Sequence, residues 1–166
     1  MRVYLPATST TLRQLLSAGE IAAPVTGFAV TPGLREWYID DDLEALEYAA
    51  MLEASRASLR LLDADSDAAR RRIVLAVDVP DEQVSVRDDL DRGVVRIATA
   101  LPMKAVASVH ADDASAEEAV AAAAAAVNAA DLGDPLAQDR VDDAEGFELS
   151  WFANQEIADL LDDFTR

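Results

Sequence analysis

The run IVLAVDV, residues 73–79, decides the fold. It is apolar at nearly every position and β-branched at several. That pattern suits a central strand covered on both faces, not a strand with one wet side. Pro80 ends it, and a polar stretch to Arg92 connects onward. VVRIATA, 94–100, alternates more and reads as a strand with one wetter face; the two could form a long-looped hairpin. After Pro102, AVASVHA, 105–111, reads as a further strand. Upstream, RVYL near the N-terminus, stopped by Pro6, and PVTGFAV, 24–30, supply two more.

Between the strands lie helix signals. TSTT offers caps for a helix over about 10–19, with Leu12, Leu15 and Leu16 on one face and Gly19 near its end. Thr31 before Pro32 starts a short helix over 32–38. From Asp42 to Leu62, Leu43, Leu46, Ala50, Ala54, Ala57 and Leu61 repeat at helical spacing. Tyr48, Leu52, Ser55, Leu59 and Leu62 form an adjoining line, so this helix is buried on more than one side. Asp112 to Ser115 cap an alanine helix over about 115–130, broken at Gly133. A last helix spans about 137–163, interrupted at Gly146, with Phe147, Trp151, Ile157, Leu160, Leu161 and Phe164 as its apolar members. The order β-α-β-α-α-β-β-β-α-α predicts an α/β (α+β) fold. One domain, 1–166, holds a mixed, roughly five-stranded sheet with helices packed on it.

Composition narrows the chemistry. A chain of 166 residues, 51% apolar but only 5% aromatic, builds its core from closely packed, alanine-rich helices. There is no cysteine, which excludes disulfides, thiolate metal sites and cysteine nucleophiles. His110 is the only histidine, so the usual zinc sites and the two Glu-x-x-His pairs of a di-iron bundle cannot be assembled. The formal charge of −18 is spread along the chain as a solvated surface. It repels phosphate backbones, and Arg70, Arg71 and Arg72 stand alone as a basic cluster, which argues against nucleic-acid binding. A basic protein partner would be attracted. The start lacks the apolar run of a secretory signal and no stretch is long and apolar enough to span a bilayer, so a cytoplasmic protein without membrane contact is expected.

Four places merit weighing as sites. In LREWYIDDDLEALEYAAM, 34–51, the carboxylates of Asp40, Asp41, Asp42 and Glu44 could ligate magnesium or calcium. They are better explained as negative charge at a helix N-terminus. Asp63, Asp65 and Asp67 imitate the start of a calcium loop, but Ala68 and Val74 stand where its glycine and bidentate glutamate belong. His110 lies at a strand end, on one face with Val106 and Ser108, and Asp112 on the same face could orient it; Asp113 follows. Lastly, Arg35, Glu36, Trp37 and Tyr38, and Trp151 with Gln155 and Glu156, hold both tryptophans. Such aromatic-polar clusters serve as partner or ligand surfaces when they are not core anchors. No phosphate loop or serine-hydrolase elbow is present. No catalytic residue, cofactor or metal is assigned.

The segments MRVYLPAT, FAVTPGLREWYIDDDLEALEYAAMLEASRASLRLL, KAVASVHADDASAEEAV and FELSWFANQEIADLL together resemble a family of small, acidic actinobacterial proteins known only as a domain of unknown function. The likeness spans essentially the whole chain. It implies a bacterial cytoplasmic protein and carries over no catalytic residue, substrate or cofactor. The residues favour a non-catalytic interaction or regulatory module, with a protein partner or a second copy at the aromatic-polar clusters. The alternative is a small-molecule-binding protein or enzyme with a pocket near His110, Asp112 and Asp113, shared with Arg35 and Trp37. A concave pocket joining His110 to an aromatic wall favours the second reading, and a flat exposed tryptophan surface the first.

Overall fold

A computed structural model describes residues 1–38 and 42–165. Asp40 and Asp41 lie outside the described residues. The run 73–79 forms β4 (Ile73–Asp78), with every residue through Val77 buried. On one side it pairs antiparallel with β1 (Arg2–Ala7), from Arg2 opposite Asp78 to Ala7 opposite Ile73. On the other it pairs with β8 (Val106–Ala111), Val74 facing His110 and Ala76 facing Ser108, with a register shift between Ala76 and Val77. Continuous apolarity is thus explained by neighbours on both edges and helices on both faces.

Outward from β1 come β3 (Val25–Phe28), β6 (Val94–Ile97) and β5 (Val84–Val86); outward from β8 comes β9 (Ser150–Phe152). The sheet order is β5-β6-β3-β1-β4-β8-β9, and every adjacent pair is antiparallel. The sheet is therefore seven-stranded and antiparallel where about five mixed strands are expected. A separate two-stranded ribbon joins β2 (Glu20–Ile21) to β7 (Leu101–Pro102). The α+β class holds.

The helices are set by their caps. Thr8 and Thr11 form a capping box for α1 (Ser9–Ala18), and Gly19 closes it at φ 76°, a left-handed conformation that glycine adopts without steric cost. Thr31 caps α2 (Pro32–Trp37) and Asp42 caps α3 (Leu43–Ala64). Asp113 accepts from the Ser115 N–H in the turn before α4 (Glu117–Asp131), and Asp134 caps α5 (Pro135–Glu145). The expected last helix is divided. After Gly146 the chain becomes β9, and α6 (Ile157–Phe164) follows a short turn. FELSWF alternates with period 2, and a three-residue strand inside a long helical reading is easily absorbed by it.

One sheet face packs Val3, Leu5, Ile73, Leu75, Val109 and Ala111 against Leu12 and Leu15 of α1 and Ile157 and Leu160 of α6. The other sets Tyr4, Val74 and Ala76 against Ala50 and Ala54 of α3. Small residues let α3 approach closely. Buried Ser58 donates to the Ala7 carbonyl at 2.7 Å and accepts from the Ile73 N–H at 3.2 Å, tying helix to sheet where β1 and β4 meet. The C-terminal half of α3 packs through Leu59 and Leu62 on an alanine-rich core of α4 and α5. Arg56 and Arg60 clamp Asp131 there, Arg60 at 2.7 Å. The basic cluster is consumed structurally. Arg70 donates to the carbonyls of Leu62, Asp65 and Ala68 beyond the end of α3. Arg71 pairs with Glu117 at 2.8 Å and lies over the Phe164 ring. Arg72 is held by Asp112. No helix among the described residues is long and apolar enough to cross a membrane.

Candidate functional site

Pairing brings together residues that are distant in sequence. On β8, Ser108 and His110 share a face, and the register places Trp151 of β9 directly opposite His110. Directly paired residues project from the same side of a sheet, so Trp151 joins them on the side covered by α3. From β1, Arg2 and Tyr4 reach the same face; from α3, Glu44, Glu47, Tyr48 and Met51 descend toward it. Ser108 and His110, with Arg2, Tyr4 and these α3 residues but not Trp151, line a concavity of about 220 Å3. A second, of about 170 Å3, shares Tyr48 and Met51 and continues past Leu52 and Ser55 to Arg72, Glu145, Phe147, Glu148 and Leu149. The two adjoin along α3, with Tyr48 and Met51 lining both; they are called the groove below.

The electrostatics of the groove are lopsided. Arg2 is held by Asp78, with Nε and Nη2 donating at 2.8 and 3.2 Å. Arg72 is buried with Asp112: Nε and Nη2 each donate at 2.8 Å, and its backbone N–H donates to the same carboxylate. Both cations are thus matched by their own aspartates. Glu44, Glu47 and Glu148 make no ion pair among the described residues, and Glu145 has only Arg56, at 4.0 Å. Burial first, and then the charge of Arg2, push His110 below the ordinary histidine range. Its ring is neutral at neutral pH, with Nε2 3.0 Å from the Ser108 hydroxyl. Burial, and then Glu47, raise Tyr4 above the usual phenol range, so it remains a neutral ring.

Asp112 does not orient His110. It is buried and committed to Arg72, and it does not line the groove. It does not cap the alanine helix either; Asp113 makes that turn. The buried pair nevertheless shapes the site, because Arg72 Nη2 also donates to the Phe147 carbonyl at 2.8 Å and fixes the segment that walls the groove. Glu156 accepts from the Ala153 N–H at 2.7 Å, which is turn chemistry, and Gln155 is exposed beside it.

Arg35, Glu36, Trp37 and Tyr38 sit at the other side of the molecule. The Arg92 guanidinium lies 3.5 Å from the Trp37 ring centroid, over a shallow surface shared with Glu36 and Asp88. Arg92 and Asp88 belong to the β5–β6 connection, and β6 stands four strands from β8, about 19 Å across the sheet. Among the described residues, the concavity lined by His110 includes neither Arg35 nor Trp37, and the shallow surface at Trp37 does not include Trp151.

Residues missed in the sequence are Arg2, Tyr4, Glu47, Tyr48 and Met51. Their signal was weak but present: Arg2 and Tyr4 alternate on one strand face, and Tyr48 belongs to the second apolar line of α3. Among the described residues no group of three or more acidic or histidine side chains is placed to hold a metal ion.

The chain belongs to the family of unknown function DUF6912, whose model matches residues 1–161. No curated protein and no solved structure matches it.

Proposed function

We propose that this chain is a non-catalytic binding module whose working surface is the groove that α3 forms with β1, β8 and the 145–149 segment. The observation that carries the reading is that two concavities adjoin along α3, Tyr48 and Met51 lining both. It yields an elongated, aromatic-walled depression that includes His110, with Trp151 beside it. Ligand sites are concave and set polar groups among apolar and aromatic walls; this groove is concave and mixes Tyr4, Tyr48, Met51 and Phe147 with a larger share of polar and charged side chains. A protein partner or a second copy, acting in the cytoplasm, would engage the same lip through Trp151, which is 62% exposed.

The test is recovery of tagged protein from its native cytoplasm, followed by release and identification of bound small molecules. Wild-type protein should retain one species at near-equal stoichiometry, and Tyr48→Ala should lose it without unfolding, since Tyr48 is 51% exposed. Equal recovery on both, or none on either, would overturn the reading.

A second reading rests on the Ser108 hydroxyl lying 3.0 Å from His110 Nε2, the spacing of a nucleophile and its base. Ser108 is 5% exposed, and no carboxylate bonds the other ring nitrogen among the described residues. Covalent labelling of Ser108 by a fluorophosphonate, abolished in Ser108→Ala, would establish this enzyme reading over the first.

A further inference from the structure

We propose that the Arg72 end of the groove takes a single neutral ring bearing a cyclic amide, a lactam or ureide of the size of a pyrimidine base. The inference rests on the groove being the binding surface and names what that surface holds. It begins with one atom. Arg72 is 2% exposed. Its Nε and Nη2 donate to Asp112, and Nη2 donates again to the Phe147 carbonyl. Nη1 donates to nothing among the described residues. Yet no fully buried side-chain nitrogen or oxygen among them lacks a hydrogen-bond partner, so Nη1 is not sealed inside the protein. It reaches the concavity of about 170 Å3 that Arg72 lines. A charged donor held this deep and left unbonded favours whatever acceptor enters that space.

A second buried side chain lines the same concavity. Ser55 is 2% exposed, and its hydroxyl proton goes to the Leu52 carbonyl at 2.7 Å, which leaves the oxygen as an acceptor. The site thus offers one donor and one acceptor. The edge of a cyclic amide is their complement, a carbonyl oxygen beside an N–H. Tyr48 and Phe147, with Met51, Leu52 and Leu149, supply walls for a flat ring. Size selects within this class: a cavity of about 150 Å3 accommodates benzene, so this space of about 170 Å3 suits one six-membered ring. Charge disfavours the rival acceptor, a carboxylate. Arg72 is already matched by Asp112 at 2.8 Å. Of the two glutamates lining the site, Glu145 pairs only with Arg56, at 4.0 Å, and Glu148 makes no ion pair among the described residues. An anion would meet a net negative field, and a neutral amide would not.

Titration of the isotope-labelled full chain with uracil, toluene and benzoate, followed by NMR at the Arg72 side-chain N–H signals, tests this. Uracil should bind one per chain and shift those signals. Toluene, which has the ring without the amide edge, and benzoate, which carries the charge, should each bind at least about tenfold more weakly. Arg72→Met with Asp112→Leu removes Nη1 and strands no charge; uracil should weaken about tenfold or more. Ser55→Ala keeps the guanidinium and should weaken uracil about fivefold, the loss of one neutral hydrogen bond. It decides the matter if the double variant does not fold. If either folded variant binds uracil as tightly as wild type, or if toluene matches uracil, the amide edge is not what the site reads and the proposal is overturned. If benzoate binds better than uracil, the neutral class falls. If uracil does not bind, yet a native small molecule is recovered and is lost in Tyr48→Ala, the groove stands and the cyclic amide falls. If no native molecule is recovered either, groove and proposal fall together.

Discussion

Asp112 and His110 are two residues apart at the end of β8, and their surroundings could hardly differ more. Asp112 is completely buried, accepting three hydrogen bonds from Arg72 alone. His110 is partly open, with one hydroxyl neighbour and a groove before it. Proximity in sequence suggested one acid–base pair; the molecule has instead a structural latch and a separate binding wall. The two are joined at one point, where the latch also grips the Phe147 carbonyl. Stability and function should therefore separate by residue.

The sharpest way to break this contrast is Asp112→Ala. It strands the Arg72 guanidinium without its carboxylate in a site where that side chain is 2% exposed. Removing one member of a buried pair costs about 3–5 kcal/mol, to be read by urea unfolding. A double variant, Arg72→Met with Asp112→Leu, should recover most of that loss, because it leaves no charge uncompensated. If Asp112→Ala is as mild as His110→Ala, the latch reading fails. Ser58→Ala probes the same buried layer with a smaller effect. It leaves the Ile73 N–H without its acceptor and should cost about 1–3 kcal/mol by the same measurement.

His110 contributes through pH instead. Its folded-state affinity for protons is depressed, while in the unfolded chain it titrates near 6.5. As pH falls below that value the unfolded state takes up a proton that the folded state resists. The histidine's contribution is thus fully present above the unfolded pKa and is lost as pH falls toward the lower folded value. Stability measured from pH 7.5 downward should decline less steeply in His110→Asn than in wild type. Identical slopes would show that burial and Arg2 do not act on the ring as described.

What could be read in advance follows the same division. IVLAVDV identified the central strand because a residue run apolar on both faces has few other stable settings. Caps in the TSTT run at Thr8, at Thr31 and at Asp42 located helix starts, since their chemistry is local. The β2, β5, β7 and β9 strands escaped because two or three residues carry little periodicity. Losing β9 misplaced Trp151, and with it the wall opposite His110. The groove itself is assembled from β1, α3, β8 and the 145–149 segment, and no single stretch encodes that convergence. Asp112 was misread for the opposite reason: its local context fitted a cap, and only the partner on β4's flank, Arg72, reveals its role.

The two tryptophans offer the gentlest comparison, because each is 62% exposed and neither anchors the core. Replacing either by phenylalanine should change stability little; Trp37 loses part of its contact with Arg92, worth about 0.5–1 kcal/mol at an exposed site. Their value is as reporters. Trp151 faces His110 across a strand pair, whereas Trp37 packs on Arg92 of the β5–β6 connection, and β6 lies four strands from β8. A ligand settling in the groove must alter the surroundings of the first ring and leave the second alone. In Trp37→Phe, the remaining fluorescence should shift on addition of the small molecule recovered with the wild-type protein. In Trp151→Phe it should remain flat at the same occupancy, confirmed by calorimetry. A response that survives only in Trp151→Phe would place the ligand at the Arg92 surface and reverse the assignment of the two regions.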